Sequence, residues 1–369
     1  MAGNKLKKYL FFFDSRATFS YSNNVIKFFK KKRLKYKTLV SGNYLEQEMK
    51  IDTKIFQKNK LNISAISKFN SPNTKPESWP ISFGKAMIKY AKIISKIKPD
   101  IAIITGDRIE TLSFCITCAY MNVPLAHIQA GDQSGHIDDI ARAAIAKFSN
   151  IHFAPSLNAC ERLINWGESK KRIFFTGAPQ LDDININKNI KKEDFYIVIF
   201  HPVLNEQKDL NQQIESLLKA IIKTRIKVLW IYPNNDMGYK QILKKINIKK
   251  YKNISVVPNY ERSEFVKLLH RSSGIIGNSS CGIIEASLFK IPVINIGSRQ
   301  NGRPQSSNIV NCKPEMKNII NSINFIKKDK KFKKTLKNVK NPFYKKRSGE
   351  IISKILINLR KNNKILIKY

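Results

Sequence analysis

The chain has 369 residues, 42% of them hydrophobic, which is enough for two buried cores of ordinary domain size. It has no run of 18 or more apolar residues, which excludes an ordinary transmembrane helix, and its five irregularly spaced cysteines do not make a disulfide framework. The formal net charge of +40 comes with no RNA- or DNA-binding motif, so we expect no binding to nucleic acid. The apolar runs and the cysteines lead us to expect a cytoplasmic protein that does not insert into a membrane.

Short apolar runs alternate with helix-length amphipathic stretches in the first half of the chain. The predicted strands are Tyr9–Phe13, Lys35–Leu39, Ile101–Thr105, Leu125–Gln129, His152–Ala154 and Arg172–Thr176. The predicted helices between them include Gly84–Lys96, Ile140–Phe148 and Leu157–Trp166. Most of the strand runs are continuous rather than alternating, as expected for strands covered on both faces. We therefore predict a parallel sheet between two layers of helices.

The same order recurs in the second half of the chain. Strands are predicted at Tyr196–Phe200, Lys227–Tyr232, Ile254–Val257, Gly274–Ile276 and Val293–Gly297, with a helix at Asn211–Thr224. The charged stretch Asp182–Glu193 separates the two series and is predicted to be a linker. The expected organisation is therefore α/β, with Rossmann-like domains at residues 1–185 and 186–343 and a closing helix in residues 344–369.

Open parallel sheets bind ligands beyond the carboxyl ends of their strands. In the first domain the strand Ile101–Thr105 is followed by Gly106 and Asp107, and this aspartate either faces a ligand or caps the next helix. In the second domain His201 follows a strand end and is restrained by Pro202, where it either meets a ligand or is a structural histidine. Both loops are candidates for a functional site.

The loop after the strand Leu125–Gln129 is unusually rich in carboxylates. Asp132, Asp138 and Asp139 fall within ten residues, and Arg142 lies one helical turn after Asp138. This pattern fits a catalytic cluster, or else a dipole-stabilised helix N-terminus with one surface ion pair. No metal site is predicted, because the spacing matches no metal-binding loop.

The turn at residues 277–286 carries the strongest signal. Small residues follow a strand and open a helix, which lets backbone N–H groups and hydroxyls hold phosphate oxygens. Glu285 is expected on the first turns of that helix, where a carboxylate can accept hydrogen bonds from two ribose hydroxyls. The next predicted strand leads into a loop that contains Arg299 and Arg303. The sequence thus indicates a phosphate-binding site in the second domain.

Taken together, these loops resemble the hydrolysing branch of the UDP-N-acetylglucosamine 2-epimerase family over residues 8 to about 305. The matching pieces, in the family's order, are Asp14-Ser15-Arg16-Ala17, Gly106-Asp107-Arg108-x-Glu110, His127-x-x-x-Gly131, Ile137-Asp138-Asp139-x-x-Arg142, Gly177-x-Pro179-x-x-Asp182, His201-Pro202, Tyr232-Pro233-Asn234-x-Asp236-x-Gly238, Gly277-Asn278-Ser279-Ser280, Gly282-Ile283-Ile284-Glu285-Ala286 and Asn295-x-Gly297-x-Arg299-x-x-Gly302-Arg303. The pair His201-Pro202 is similar to the hydrolysing branch, since the other branch usually carries His-Arg-Arg there.

The resemblance implies a glycosyltransferase-B fold, in which two Rossmann-like domains enclose the active site in the cleft between them. It also implies an enzyme that eliminates UDP from UDP-N-acetylglucosamine and hydrates the glycal-type intermediate to N-acetylmannosamine, which supplies sialic-acid-like sugars. No metal or other cofactor is required for this elimination in the family. Because relatives usually assemble as dimers or tetramers, a homo-oligomer is expected.

Matching positions give the residues that the resemblance implies. The implied catalytic residues are Asp107, Asp132, Asp138, Asp139, Arg142 and His201. The implied substrate-binding residues are Arg16, Gln129, Asn278, Ser279, Ser280, Cys281, Gly282, Glu285, Arg299 and Arg303. Among these, Ser280 and the neighbouring backbone would hold the diphosphate, Glu285 would hold the ribose, and Arg16 would help to bind the nucleotide.

Two positions depart from the family pattern. Gln129 lies in a stretch where relatives often carry His-x-Glu-Gly-Gly-Glu, and Ala143 follows Arg142 where relatives often have histidine. Because glutamine cannot act as a general base, either Asp132 or the Asp138–Asp139 pair takes that role, or the substrate differs. The alternatives are a modified sugar nucleotide, such as a UDP-2,4-diacetamido-trideoxy sugar, and an inverting glycosyltransferase of the same fold.

Overall fold

The computed structural model describes residues 6, 8–42, 61–67, 69, 77–134, 138–186, 190–234, 236–247, 251–360 and 364–366, and the side chains of residues 16, 17 and 138 lie outside this description. The chain forms two compact units. One contains Met1–Asp132, Ile137–Asp183 and Phe343–Tyr369, and the other contains Gln133–His136 and Ile184–Pro342. Within the described residues, no helix is long and apolar enough to cross a membrane.

The first unit is built on a seven-stranded parallel sheet. Its strands are β1 (Tyr9–Phe13), β2 (Tyr36–Ser41), β3 (Ile63–Ser67), β4 (Ile101–Thr105), β5 (Leu125–Ile128), β6 (Ile151–Ala154) and β7 (Ile173–Phe175). Its first five helices are α1 (Arg16–Lys31), α2 (Ser78–Ile97), α3 (Ile109–Tyr120), α4 (Asp138–Phe148) and α5 (Leu157–Asn165). The strands lie in the order β3-β2-β1-β4-β5-β6-β7.

The second unit repeats this plan with a six-stranded parallel sheet. Its strands are β8 (Tyr196–Ile199), β9 (Val228–Ile231), β10 (Ile254–Val257), β11 (Gly274–Gly277), β12 (Val293–Ile296) and β13 (Ile309–Cys312). Its helices are α6 (Leu210–Thr224), α7 (Tyr239–Asn247), α8 (Arg262–Arg271), α9 (Ser280–Ile284), α10 (Met316–Lys328) and α11 (Lys330–Thr335). The strands lie in the order β10-β9-β8-β11-β12-β13.

Residues along each central strand alternate between two apolar cores. In β1, Phe11 packs in the cluster that includes α1, while Phe12 stacks on Phe114 of α3 with ring centroids 4.3 Å apart. In β8, Val198 packs in the cluster that includes α6, and Ile197 packs in the opposite cluster with α8. Both sheets are therefore covered on both faces, and the predicted α/β fold with two Rossmann-like units is confirmed.

The strand order reverses at one point in each sheet. In the first unit the reversal lies between β1 and β4, and in the second unit it lies between β8 and β11. At such a point the following connections leave toward opposite faces, which opens a crevice beyond the carboxyl ends of the two strands. The loops after β1, β4, β8 and β11 are thus the places where each unit can hold a ligand.

All eleven predicted strands are present, with ends that shift by one or two residues, but the prediction missed β3 and β13. Both are edge strands in their sheets. The pattern of β3 alternates between half-buried and exposed residues, and β13 is only half-buried. Strands of this kind lack the continuous apolar run that identifies a central parallel strand, which explains the two omissions.

The last helix, α12 (Ser348–Asn358), packs against α1 in the first unit. Asp182 caps it: one carboxylate oxygen accepts from the N–H of Ser348 at 3.0 Å, and the other accepts from the N–H of Gly349 at 2.7 Å. Gly349 lies so close to Asn24 that an added Cβ would be 2.8 Å from its backbone carbonyl carbon. The family-like stretch that ends at Asp182 therefore has a structural role here.

Replacing Asp182 by alanine is expected to lower the free energy of unfolding by about 1–2 kcal/mol, because the first turn of α12 loses its cap. The matched control is Asp183→Ala, since Asp183 forms only an ion pair with the half-exposed Lys27, an interaction that contributes less than about 1 kcal/mol. Urea unfolding followed by circular dichroism measures both variants. Equal losses of stability in the two would contradict the capping role.

Candidate functional site

The loops after β8 and β11 are joined by a reciprocal pair of hydrogen bonds. The side chain of Asn278 accepts a bond from the backbone N–H of His201 at 2.7 Å and donates one to the His201 carbonyl oxygen at 2.8 Å. Both residues are buried. The preceding Gly277 has a φ of +136°, and a Cβ there would lie 2.0 Å from the carbonyl oxygen of Ile199. Only glycine permits this approach, so the two loops are held at a fixed distance.

The imidazole of His201 is oriented by a third loop, which follows β9. The backbone N–H of Asn234 donates to Nδ1 of His201 at 3.0 Å. Since Nδ1 accepts a hydrogen bond, the neutral ring carries its proton on Nε2. His201 is therefore held as a hydrogen-bond donor at Nε2, a form that suits an anionic group such as a phosphate oxygen.

The loop after β12 brings two arginines to the same edge of the sheet. Arg299 donates to the carbonyl oxygen of Asn278 at 3.2 Å, and Gln300 donates to the same oxygen at 2.8 Å. Arg303 donates to Oε1 of Gln300 at 2.5 Å, and Arg299 also lies 3.9 Å from Asp236. The structure thus brings the predicted residues Asn278, Arg299 and Arg303 together. It also adds Gln300, which the sequence reasoning missed.

The small-residue turn is shorter than the sequence suggested. α9 has five residues, and the 3-10 helix Ala286–Phe289 follows it, so Glu285 ends the helix rather than beginning it. Ser279 is the N-cap residue, and Ser280 begins the helix. Gly282 packs against β12, where a Cβ would lie 3.0 Å from Val293. The turn therefore offers Ser279 and Ser280 to a ligand, whereas Gly282 serves close packing.

Cys281 lies within the same turn. Its thiol donates to the hydroxyl of Ser279 at 3.2 Å. Burial, together with the nearby carboxylate of Glu285, raises the pKa of the Cys281 thiol to about 12. The thiol stays protonated at neutral pH and acts as a hydrogen-bond donor rather than as a nucleophile.

Glu285 is buried and paired with a residue that the sequence reasoning did not select. Arg262, the first residue of α8, donates from Nη1 to Oε2 of Glu285 at 2.6 Å. The pair lies in the second unit, apart in sequence by 23 residues. No periodicity links the two positions, so a sequence pattern could not have revealed the contact.

The first unit gathers two predicted carboxylates around one arginine. Arg142 of α4 donates from Nη1 to Asp139 at 3.0 Å and from Nη2 to Asp107, in the loop after β4. The Arg142 side chain is 3% exposed and the two aspartates are each 20% exposed. A guanidinium that contacts two carboxylates at once holds both in fixed orientations. The contacts of Arg142 with Asp107 and Asp139 are thus largely shielded from solvent.

One other expectation for these loops changes, and another lies outside the described residues. The N-cap residue of α3 is Arg108 rather than Asp107, so the capping alternative for Asp107 is wrong. Asp138 was expected to share a face with Arg142, but its side chain lies outside the described residues, as does that of Arg16. The contact that the structure records is made by Asp139 instead.

The loop after β5 is strained at a predicted position. Gln129 has a φ of +65°, a left-handed conformation that costs a non-glycine residue about 1 kcal/mol. Its side-chain amide donates to Gln180 at 3.1 Å. Asp132, three residues later, is buried. Backbone strain that is retained beside a buried carboxylate at a strand end is typical of functional loops.

A buried histidine connects this strand to the Asp107 loop. Nε2 of His127, on β5, lies 2.8 Å from the carbonyl oxygen of Gly106. Burial lowers the pKa of His127 to about 3, so the ring is neutral and donates its Nε2 proton to that carbonyl. His127 thus fixes the turn that immediately precedes Asp107.

Beside this turn lies a pair of buried acidic residues that the sequence reasoning did not select. Asp14, at the end of β1, accepts from Thr111 at 2.5 Å and from Thr18 at 3.0 Å. Glu110, on α3, has its pKa raised to about 7 by burial, against the opposing effect of Arg108 3.4 Å away. With a pKa of about 7, Glu110 can exchange a proton near neutral pH.

Each unit presents its own kind of chemistry. The second unit presents a donor histidine, arginines and a small-residue turn, which together suit a diphosphate. The first unit presents buried or half-buried carboxylates that an arginine and a histidine hold in place, which suits proton transfer at carbon. Among the described residues, no group of three or more His, Cys, Asp or Glu side chains is arranged to hold a metal ion.

Known proteins share this sequence pattern. The family model described as UDP-N-acetylglucosamine 2-epimerase matches residues 27–357. The chain is 28% identical over 319 residues to the UDP-N,N'-diacetylbacillosamine 2-epimerase (hydrolyzing) of Legionella pneumophila, covering 83% of this chain and 85% of that protein. It is 32% identical over 251 residues to the UDP-N-acetylglucosamine 2-epimerase of Neisseria meningitidis, covering 65% and 67%.

Solved structures share the fold. A crystal structure of UDP-GlcNAc 2-epimerase from Neisseria meningitidis bound to UDP-GlcNAc matches with a TM-score of 0.80 at 17% sequence identity, covering 95% of this chain and all of that one. Both units of the present chain thus have counterparts in one known architecture. Since the family model spans residues 27–357, the chain belongs to the UDP-N-acetylglucosamine 2-epimerase family.

Proposed function

We propose that the chain is a hydrolysing 2-epimerase that converts UDP-N-acetylglucosamine and water into N-acetylmannosamine and UDP. The observation that carries the proposal is the buried Arg142, which holds Asp107 and Asp139 at the carboxyl edge of the first sheet. A transferase needs one base, whereas this reaction needs carboxylates around two adjacent carbons. The Legionella relative, which matches over most of both chains, is named as a hydrolysing enzyme.

The first proposed step is an elimination. A carboxylate removes the proton at C2 of the sugar, the C1–O bond breaks, and its electron pair leaves with UDP, which gives a glycal-type intermediate. Arg142 fixes Asp107 and Asp139 for this step, because small errors in the position of a base lower the rate steeply. Gln129 cannot take a proton from carbon, so the role of the base falls to Asp132 or to the Asp138–Asp139 pair.

The departure of UDP needs support from the second unit. As the C1–O bond breaks, negative charge grows on the diphosphate oxygen. The Nε2 proton of His201, together with Arg299, Arg303 and the turn at Ser280, is proposed to stabilise that charge. Donors that are already oriented stabilise developing charge most effectively, and Asn234 orients His201 in advance.

The second proposed step is a hydration. Water adds a hydroxyl group at C1 while a proton is delivered to C2 from the face opposite to the one that lost it, which inverts that carbon. The overall reaction consumes one water and needs no oxidant, reductant or metal. Carboxyl groups on different elements, such as Asp132 in the loop after β5 and Asp139 on α4, can serve the two faces of the ring.

A second candidate substrate is a UDP-2,4-diacetamido-trideoxy sugar. The Legionella relative is named for UDP-N,N'-diacetylbacillosamine, a sugar of this kind. In the present chain the Gln129 amide bonds to Gln180, so this loop presents neutral amides where relatives often have a glutamate. Neutral amides suit an additional acetamido group better than a carboxylate does.

The reaction is tested by proton and phosphorus NMR of the purified protein with UDP-N-acetylglucosamine in heavy water. The expected products are free UDP and N-acetylmannosamine that carries deuterium at C2, because the returning proton comes from solvent. A parallel sample contains the UDP-diacetamido sugar. Turnover of that sample alone would select the second candidate, and release of UDP only with an added acceptor sugar would contradict the proposal in favour of a glycosyltransferase.

Arg142→Gln is expected to lower kcat by about 100-fold, because Asp107 and Asp139 lose the group that orients them. UDP binding is expected to stay unchanged, since the proposal assigns the nucleotide to the second unit. The control is Arg271→Gln, which removes an exposed ion pair with Glu193. Steady-state kinetics and calorimetry with UDP measure the two effects. A loss of UDP affinity without a fall in kcat would argue against the role of Arg142.

The donor role of His201 is tested by two substitutions. Asparagine places an acceptor near the position of Nδ1 and preserves the bond from Asn234, but it lacks a donor at the position of Nε2. Glutamine reaches the Nε2 position and can donate there. His201→Asn is expected to lower kcat about 100-fold, and His201→Gln by less. Higher activity in the asparagine variant would show that the Nδ1 contact alone matters.

A further inference from the structure

Glu285 is a buried carboxylate of which one oxygen is engaged. The residue is 6% exposed, and its Oε2 accepts from Nη1 of Arg262 at 2.6 Å. Within the part of the chain that the structure describes, its other oxygen, Oε1, makes no hydrogen bond. Oε1 is not among the fully enclosed atoms of the described residues, so a donor that arrives with a ligand can reach it.

Arg262 makes this contact from a position that its own helix disfavours. Arg262 is the first residue of α8, where the positive end of the helix dipole disfavours a cation by several tenths of a kcal/mol. Its side chain is three-quarters buried and extends to Glu285 at the end of α9. A cation placed against the local preference and directed at one oxygen of a buried carboxylate indicates a positioning role.

We propose that Arg262 is a specificity-determining residue that positions Glu285 to read the 2′-hydroxyl of a ribonucleoside diphosphate. This inference rests on the proposed function, in which Glu285 holds the ribose. The guanidinium fixes the rotation of the carboxylate and occupies Oε2, so Oε1 accepts from the ribose. A hydroxyl bond to a fixed, buried carboxylate strengthens binding by about tenfold or more, and a 2′-deoxy sugar cannot make it.

The experiment measures the affinity of the full chain for UDP and for 2′-deoxy-UDP by titration calorimetry. The wild-type protein is expected to prefer UDP by about tenfold. Arg262→Gln is expected to weaken UDP binding about tenfold while changing 2′-deoxy-UDP binding by less than about twofold, so that the preference disappears. Arg262→Lys keeps the charge without the planar fork and is expected to retain an intermediate preference. Arg271→Gln, on the same helix, is the control and should bind both nucleotides as the wild type does.

The outcomes separate this inference from the proposed function. Suppose that the wild type binds UDP, and that Arg262→Gln either lowers the affinities for UDP and 2′-deoxy-UDP by the same factor or lowers neither affinity. The positioning role is then overturned, and the proposed function stands. If the wild type binds neither nucleotide, the proposed function is overturned, and this inference with it. If Arg262→Gln does not fold, Arg262→Lys provides the test. A ratio of UDP affinity to 2′-deoxy-UDP affinity equal to that of the wild type would overturn the positioning role.

Discussion

The paired hydrogen bonds between Asn278 and His201 are the interaction on which the second unit's site depends. They join the loops after β8 and β11 at the point where the strand order reverses. Gly277 lets these strands approach to a distance that no side chain would allow. Because the carbonyl oxygen of the same asparagine accepts from Arg299 and Gln300, one buried residue organises three loops.

In the first unit, a few side chains hold the candidate carboxylates in place. The proposed reaction needs carboxylates close to the sugar, yet half-buried carboxylates repel each other and are costly to desolvate. Arg142 compensates Asp107 and Asp139 together, and the neutral His127 holds the turn before Asp107 without adding a charge. The result is a set of acids with fixed orientation on a rigid sheet edge, as general acid–base chemistry requires.

The fold and the loops that carry the site could largely be predicted, because both follow from short-range patterns. Five consecutive apolar residues bounded by polar residues, as in β1, favour a strand covered on both faces, and the glycine-containing turns mark where such strands end. The site's internal contacts could not be predicted. The pairing of Arg262 with Glu285 joins separate elements, and the proton position on His201 depends on a backbone N–H from another loop. Such contacts are set by tertiary packing, which no spacing along the chain encodes.

Two residues show how a tertiary partner determines a role that sequence leaves open. For Asp107 the sequence allowed a ligand-facing residue or a helix cap, and in the structure Arg108 is the N-cap residue while Arg142 binds the Asp107 carboxylate. Asp182 matched a family motif, yet it caps α12. For both aspartates, the group that the carboxylate contacts in the folded chain determines its role.

The central claim is that the reaction breaks the bond between C1 of the sugar and the diphosphate oxygen, with the carboxylates of the first unit acting at C1 and C2. Phosphorus NMR of UDP released in water enriched in ¹⁸O tests this directly. The account predicts UDP without any ¹⁸O, because water adds to carbon and the leaving oxygen stays on phosphorus. An isotope shift at the β-phosphate would show that water attacks phosphorus, and that result would contradict the account.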